Sequence, residues 1–137
     1  MCLYLTEKSG IKVAKEDIIC YKVMEKWGEI LTSPYQNMRY KCGTMRVSET
    51  PITVKHIFAI GPCVEEGFHS VSNEQEAERL KSGLQTYATL LNLINYKYVV
   101  VKCLIPAGTS YAVGVFNDFG EHFNSICSER IIVLEEV

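Results

Sequence analysis

The order of hydrophobic patterns along the chain predicts an α+β fold. We expect a strongly bent, mostly antiparallel sheet or small open barrel, with one long helix at about residues 73–94 packed on it. The first half alternates short apolar segments with turns, residues 73–94 have a helical period, and the last third returns to β-type segments. The 137 residues contain no repeat, low-complexity tract or linker, so we expect one α+β domain, residues 1–137.

Short strands separated by turns are predicted in the first half of the chain. They cover residues 2–6, 18–24, 38–42 and 54–60. Between the second and third of these, Ser-Pro-Tyr-Gln-Asn at residues 33–37 predicts a turn, because proline fixes φ and asparagine tolerates the left-handed region. Gly61-Pro62 is expected to end the last of these strands.

The helix is the clearest element in the sequence. Ser72 and Asn73 are both good N-caps, and each has Gln or Glu three residues later, as in a capping box. Apolar residues then recur at intervals of three and four and form one stripe, which comprises Ala77, Leu80, Leu84, Tyr87, Leu91 and Ile94. Gly83 lies beside this stripe, where it either splits the helix or allows a close crossing over the sheet.

The last third is predicted to be β again. Residues 98–105 form a strand, and the helix stripe is expected to pack on the face made by Val99, Val101, Cys103 and Ile105. Pro106-Ala107-Gly108 turns the chain, so that residues 109–115 return as the second strand of a hairpin, and residues 117–124 form a loop. Residues 130–134 are apolar on both faces, which predicts a central strand.

Composition and charge exclude several classes of function. A net charge of −2 leaves no basic surplus to neutralise many phosphates, which argues against nonspecific nucleic-acid binding. The N-terminus lacks a basic segment followed by an apolar run, and no run approaches the ~20 apolar residues of a membrane span. We therefore expect a cytoplasmic protein without membrane contact, and its oligomeric state stays open.

The six cysteines are expected to be reduced thiols. They form no Cys-x-x-Cys pair, whereas zinc ligands are usually two to four residues apart. Zinc held by His122 with Cys127, or by His69 with Cys63, is the weaker alternative. With no secretion signal a disulfide framework is also disfavoured, so neither a metal nor a cofactor is predicted.

The chain has no phosphate-binding loop, nucleophile elbow or His-Glu-x-x-His motif. The candidate ligand residues therefore come from two segments that match no such motif. In Gly-Phe-His-Ser at residues 67–70, alternation is expected to point Phe68 into the core and His69 outward. There an imidazole beside free helix N–H groups could hold a phosphate. The simpler interpretation is that His69 only stabilises a turn.

The second segment, residues 34–41, interleaves aromatic residues with arginine and lysine. Such a pattern is typical of a cradle for a base and phosphate, and equally of a strand with one wet face. The candidate ligand-binding residues are therefore His69, Ser70, Ser72, Tyr35, Arg39 and Tyr40. No catalytic residue is predicted, and Glu129 is the only carboxylate worth considering for catalysis.

Three motifs carry a family resemblance. They are Gly-Phe-His-Ser at residues 67–70, Ile-Pro-Ala-Gly-Thr at 105–109 and Ser-Glu-Arg-Ile-Ile-Val at 128–133. With them the chain resembles small uncharacterised proteins of bacteriophages, prophages and gut bacteria, a likeness that implies a context and no particular reaction. Less closely, it resembles ADP-ribosyltransferase-type folds, in which Lys22, His69-Ser70, residues 105–109 and Glu129 fall in comparable order.

Three functions follow as hypotheses. The first is a non-enzymatic protein that recognises a partner protein or sequesters a small ligand such as a nucleotide. The second is an ADP-ribosyltransferase-like enzyme acting on a dinucleotide, which requires Glu129 beside a polar pocket. The third is a structural or assembly protein without a ligand, which predicts a flat apolar surface and no sizeable pocket.

Overall fold

A computed structural model describes residues 3–6, 10–58, 61–93 and 95–137 of the chain. Within these residues it contains thirteen strands and one helix. In chain order they are β1 (Leu3–Leu5), β2 (Ile11–Val13), β3 (Ile18–Trp27), β4 (Ile30–Thr32), β5 (Arg39–Tyr40), β6 (Met45–Val47), β7 (Lys55–Ile57), β8 (Gly61–Val64), β9 (Phe68–Val71), α1 (Glu74–Leu90), β10 (Tyr98–Ile105), β11 (Ser110–Asp118), β12 (Glu121–Ser128) and β13 (Arg130–Glu136).

The strands form one open sheet in the order β6-β13-β10-β3-β9-β12-β11-β1-β8-β7. Strand β2 pairs with β11, and β4 links β3 to β5. Each pairing among the described residues is antiparallel. The prediction of a mostly antiparallel sheet carrying one helix is therefore confirmed in outline, and the sheet does not close into a barrel.

The sheet has two halves that meet at a weak junction. Strand β3 pairs with β10 over eight consecutive residue pairs, but with β9 at only one, Tyr21 with Val71. One buried cluster nevertheless takes residues from both halves, with Val101 from β10, Phe68 from β9 and Ile126 from β12. The halves thus share a core even though few backbone hydrogen bonds join them.

Helix α1 packs on one face of β10, and this face is opposite to the one that the sequence predicts. Its cluster contains Tyr98 and Val100, together with Phe116 and Phe123 from the other half of the sheet. The residues expected under the helix instead face the first cluster, namely Val99, Val101, Cys103 and Ile105. Residues 98–101 are buried on both faces of β10, so alternation alone could not identify the helix-facing side.

The helix is shorter than predicted. Asn73 is its N-cap and accepts a hydrogen bond from the Glu76 N–H at 2.9 Å, whereas Ser72 pairs its N–H with the Asn124 carbonyl. Leu91 is the C-cap, and Asn92 follows with φ of +57°. Helix α1 therefore spans 17 residues in place of residues 73–94, and Ile94 lies outside the described residues.

The apolar stripe is right in its first half only. Ala77, Leu80 and Leu84 are buried, but Tyr87 is 55% exposed and Ala88 takes its place in the core. A spacing that averages 3.4 residues drifts around a helix of 3.6 residues per turn, which explains the change. Gly83 does not break α1, which is continuous from Glu74 to Leu90. An added Cβ at Gly83 would lie 2.7 Å from the Phe119 ring, so this glycine permits a close approach of the turn after β11.

Several other boundaries differ from those predicted. The strand expected at residues 2–6 is β1, with Cys2 outside the described residues, and that at 38–42 shortens to β5. The strand expected at 54–60 is β7, with residues 59–60 outside the described ranges. Gly61-Pro62 begins β8 and does not terminate a strand, since Pro62, the second residue of β8, pairs with His56 of β7.

The C-terminal third pairs differently from the prediction. Strands β10 and β11 are not neighbours: β11 pairs with β12, β1 and β2, so the predicted hairpin is wrong. The loop expected at 117–124 shrinks to Phe119-Gly120, whose φ angles of +53° and +72° close a tight hairpin. Strand β13 lies next to the edge strand β6 and leaves Leu134 exposed, so it is not covered on both sides.

Candidate functional site

A small cavity lies at the junction between β3 and β9. It is lined by residues 21–23 of β3, residues 69–71 of β9, and Ser33, Tyr35 and Gln36 from the segment that follows β4. Because the two strands pair only at Tyr21 and Val71, their backbones leave room on one side of that pair. The cavity therefore exists because the sheet ladder is interrupted at this point.

Lys22 bridges the interrupted ladder with its side chain. It is only 6% exposed, its Nζ donates to the His69 carbonyl, and it lies 5.5 Å from the centre of the Tyr40 ring. Burial lowers the pKa of Lys22, while the neighbouring thiols of Cys103, Cys20 and Cys127 act in the opposite direction. The Lys22 ammonium therefore donates to a carbonyl of β9 at a position where β3 does not pair with β9.

His69 is a buried strand residue. It lies in β9, opposite Cys127 of β12, and is 4% exposed. The expectation that it faces outward beside the helix N-terminus is therefore wrong, because Gly-Phe-His-Ser pairs with β12 and α1 starts only at Glu74. Phe68 is buried as predicted.

The hydrogen bonds of His69 fix its tautomer. Its Nε2 lies 3.1 Å from the Glu65 carbonyl oxygen, which can only accept, so Nε2 carries the proton. The other ring nitrogen, Nδ1, is then a lone-pair acceptor, and it is buried without a hydrogen-bond partner among the described residues. Burial lowers the pKa of His69 to about 4, which keeps the ring neutral at pH 7.

Gln36 presents a second free acceptor. Its Nε2 donates to the Gly67 carbonyl at 2.9 Å, which fixes the orientation of the amide. The Gln36 Oε1 atom is then buried with no partner within the described part of the chain. Sequence reasoning missed Gln36, since a glutamine in a turn carries no signal, and it named Lys22 only through the ADP-ribosyltransferase resemblance. The inward side of β3, which Lys22 shares with Cys20 and Met24, is the signal that could have found it.

Tyr35 closes the cavity on the solvent side. Its hydroxyl donates to the Asp118 carboxylate, and its ring meets Phe116 edge-on at 6.2 Å between centres. Burial and the hydrogen bond to Asp118 raise the pKa of Tyr35, so the phenol stays protonated. This contact to the end of β11, together with the hydrogen bond from Gln36 to Gly67, holds the segment from Ser33 to Asn37 over the cavity.

The predicted ligand residues fall into separate places. Tyr35, His69 and Ser70 line the cavity, and the Ser70 hydroxyl donates to the Ile126 carbonyl at 3.3 Å. Ser72 is not among the lining residues. Arg39 and Tyr40 line a different groove beside β4 and β5, where the Tyr40 hydroxyl is buried without a partner among the described residues.

Glu129 lies in a third place. Its carboxylate accepts a hydrogen bond from the Ile52 N–H at 3.0 Å and lines a surface depression with Thr109 and Arg130. It is not part of the lining of the His69 cavity. The structure thus gives this carboxylate a role in holding the segment before β7.

The cavity is small in this conformation. Its empty space is about 370 Å³ when the part open to solvent is included, but the centre of a water molecule has only about 20 Å³ available. That is room for one water molecule. A larger group needs an outward movement of the segment from Ser33 to Asn37.

Metal ligation has no support in the described residues, where no cluster of three His, Cys, Asp or Glu side chains is arranged to hold an ion. Cys20, Cys42, Cys63, Cys103 and Cys127 form no disulfide. His122, one of the alternative zinc residues, is exposed and contacts the Asn117 side chain. Helix α1, the helix formed by the described residues, is not long and apolar enough to cross a membrane.

The chain has no match among protein-family models, curated proteins or solved structures. Interpretation of the site therefore depends on its own geometry.

Proposed function

We propose that this chain is a non-enzymatic binding protein that sequesters a small ligand in the cavity between β3 and β9. The observation that carries the proposal is the buried, unpartnered Nδ1 atom of His69, a residue that lines the same cavity as Lys22. Buried polar atoms are nearly always hydrogen-bonded, so an unpaired one in a residue that lines a cavity favours a ligand that completes its hydrogen bonding. The cavity collects half of the predicted ligand residues: Tyr35, His69 and Ser70.

The segment from Ser33 to Asn37 is the proposed entrance. It connects the short strands β4 and β5, and its side chains reach the rest of the protein through Tyr35 to Asp118 and Gln36 to Gly67. These two hydrogen bonds, one exposed and one part-buried, are worth only a few kcal/mol together, so ligand binding can displace them. A nucleotide-sized ligand fits only when this segment opens.

The enzyme hypothesis is the weaker alternative. Lys22 donates to the His69 backbone carbonyl, but Glu129, the carboxylate that the enzyme hypothesis requires, accepts from the Ile52 N–H outside the cavity. Acid–base chemistry needs a group within hydrogen-bond reach of the reacting atoms. We therefore favour binding without catalysis, in a protein of the phage or gut-bacterial type that acts in the cytoplasm, or in the host cytoplasm if phage-encoded.

A thermal-shift screen with nucleotides, dinucleotides and their component bases tests this function. A ligand at 100 times its Kd should add about 2.7 kcal/mol to the free energy of unfolding. We expect His69→Ala to abolish that ligand-induced gain. Ser72→Ala is the matched control, because Ser72 was predicted in the same segment but does not line the cavity, and it should keep the full gain.

Two results would contradict the proposal. One is a ligand whose stabilisation is equal in His69→Ala and in the unmutated protein, since it would bind elsewhere. The other is the absence of any stabilising compound in the screen.

A further inference from the structure

We propose that the group bound beside His69 is a neutral amide-type group, with an NH₂ donor next to a carbonyl acceptor, and not a phosphate or carboxylate. This inference rests on the proposed binding function and names the chemistry of its ligand. Primary carboxamides and the amino–carbonyl edge of a nucleobase such as cytosine have this arrangement. It differs from the anionic ligand that the sequence predicts for His69.

His69 and Gln36 both line the cavity, and each has one buried atom, an acceptor, without a partner among the described residues. His69 Nδ1 has a lone pair because Nε2 donates to Glu65, and Gln36 Oε1 is a carbonyl oxygen because Nε2 donates to Gly67. An acceptor is satisfied only by a donor. The bound group must therefore supply N–H or O–H groups toward His69 and Gln36.

Lys22 supplies the opposite requirement. A lysine ammonium has three donors, and the His69 carbonyl takes one of them. Among the described residues, the electrostatic partners of Lys22 are the thiols of Cys103, Cys20 and Cys127 and the His69 ring, none of them a carboxylate. The remaining N–H groups favour an acceptor on the ligand, and the positive charge disfavours a cationic donor such as an amine.

An anion satisfies only half of this site. It can accept from Lys22, but its oxygens would face the lone pairs of His69 Nδ1 and Gln36 Oε1 and leave both buried acceptors unsatisfied. An amide group meets both requirements, since its NH₂ donates twice and its carbonyl accepts. One water molecule also meets them, which agrees with the volume of the closed cavity.

Matched pairs of small probes separate these chemistries. Acetamide and acetate, and benzamide and benzoate, have nearly the same shape and differ in whether the second group donates or carries a negative charge. Binding would be followed by calorimetry and by the ¹⁵N shifts of the three histidine rings, with His69 assigned through His69→Gln. Cytosine tests the nucleobase edge, and inorganic phosphate tests the anion.

We expect the amides or cytosine to bind at least tenfold more tightly than acetate, benzoate and phosphate. They should move the Nδ1 resonance of His69 in the direction of an accepted hydrogen bond. Gln36→Met removes one acceptor at a half-buried position in a surface segment and should weaken amide binding at least tenfold. This variant keeps the test valid if replacement of His69 prevents folding.

Three other outcomes would each reject the amide inference, the binding function or both. Binding of acetate, benzoate or phosphate without the amides would reject the amide inference and leave the binding function intact. Amide binding that Gln36→Met does not change, without a shift at His69, would also reject the inference. If none of the probes and none of the nucleotides binds, the cavity holds a structural water, and both proposals are wrong.

Discussion

At the residue scale, His69 shows how burial changes the meaning of a motif. In the sequence it stands before a helix and suits a solvent-facing phosphate ligand. In the structure it is a buried strand residue with a fixed tautomer and one free acceptor. A neutral buried imidazole links the stability of the protein to pH, because the unfolded chain binds a proton more readily than the folded one.

The stability of the protein should therefore decrease as the pH is lowered below about 6.5. Burial lowers the pKa of His69 from 6.5 to about 4, so the unfolded state takes up a proton in this range and the folded state does not. The stabilisation by neutral His69 is complete above pH 6.5 and is lost progressively toward pH 4. Between pH 7.5 and 5 this one group should lower the free energy of unfolding by about 2 kcal/mol.

Urea unfolding at both pH values, in the unmutated protein and in His69→Gln, measures the effect. Carboxylates contribute equally to both proteins, so the difference between them isolates the histidine. His122→Gln is the control for the substitution itself, because it makes the same change at an exposed histidine. An equal loss of stability in His69→Gln and in the unmutated protein would mean that His69 titrates normally and is accessible to water.

At the scale of elements, helix α1 joins the two halves of the sheet. Its cluster includes Val23 and Val100 from one half and Val71 and Phe123 from the other. Few hydrogen bonds connect β3 with β9, so burial under the helix contributes much of the cohesion between the halves. Leu84 lies in the middle of this contact and is 8% exposed.

Leu84→Ala should lower the free energy of unfolding by roughly 2–5 kcal/mol, through lost burial and the cavity left behind. Leu91→Ala is the matched control from the same predicted stripe. Leu91 is 51% exposed at the helix C-cap, so its loss should be below about 0.5 kcal/mol. Chemical denaturation of the two variants gives both values, and equal effects would mean that the stripe packs as the sequence predicts and not as the structure shows.

The sequence predicts elements better than their partners. Residues 72–84 contain both a cap and an apolar period, so the start and buried face of α1 are recognisable. Strand β10 is also recognisable, but its two apolar faces hide which one the helix covers. Phe119 occupies a left-handed turn position that usually needs Gly or Asn, so the β11–β12 hairpin gives no turn signal at its first residue.

The site was less predictable than the fold. His69, Ser70 and Tyr35 were identified by residue type and do line the cavity. Their grouping with Lys22 and Gln36 depends on where β3 and β9 stop pairing, a long-range register that no local pattern encodes. Ser72, Arg39 and Glu129 had equally suitable chemistry but belong to other surfaces, which shows that residue type alone does not locate a site.

At the scale of the whole molecule, the two halves of the sheet can open together or separately. Cys103 lies on β10 in one half, and Cys127 lies on β12 in the other, both fully buried. The hydrogen bond with Cys20, together with burial, raises the pKa of Cys103, and burial raises the pKa of Cys127 to about 12. Neither thiol should react with an alkylating reagent until its half of the sheet opens.

We expect Cys103 and Cys127 to be alkylated at the same rate under native conditions, because α1 packs on both halves and so couples their opening. Peptide mapping by mass spectrometry would give each rate, and labelling in denaturant without reductant, expected to find six thiols, sets the total. Exposed Cys42 serves as the internal control for reagent activity and should react at once. Leu84→Ala should increase the alkylation rates of Cys103 and Cys127 by the same factor, since it weakens the packing of α1, which contacts both halves. Faster labelling of Cys127 than of Cys103 would instead show that the junction at Tyr21 and Val71 separates two independently stable units.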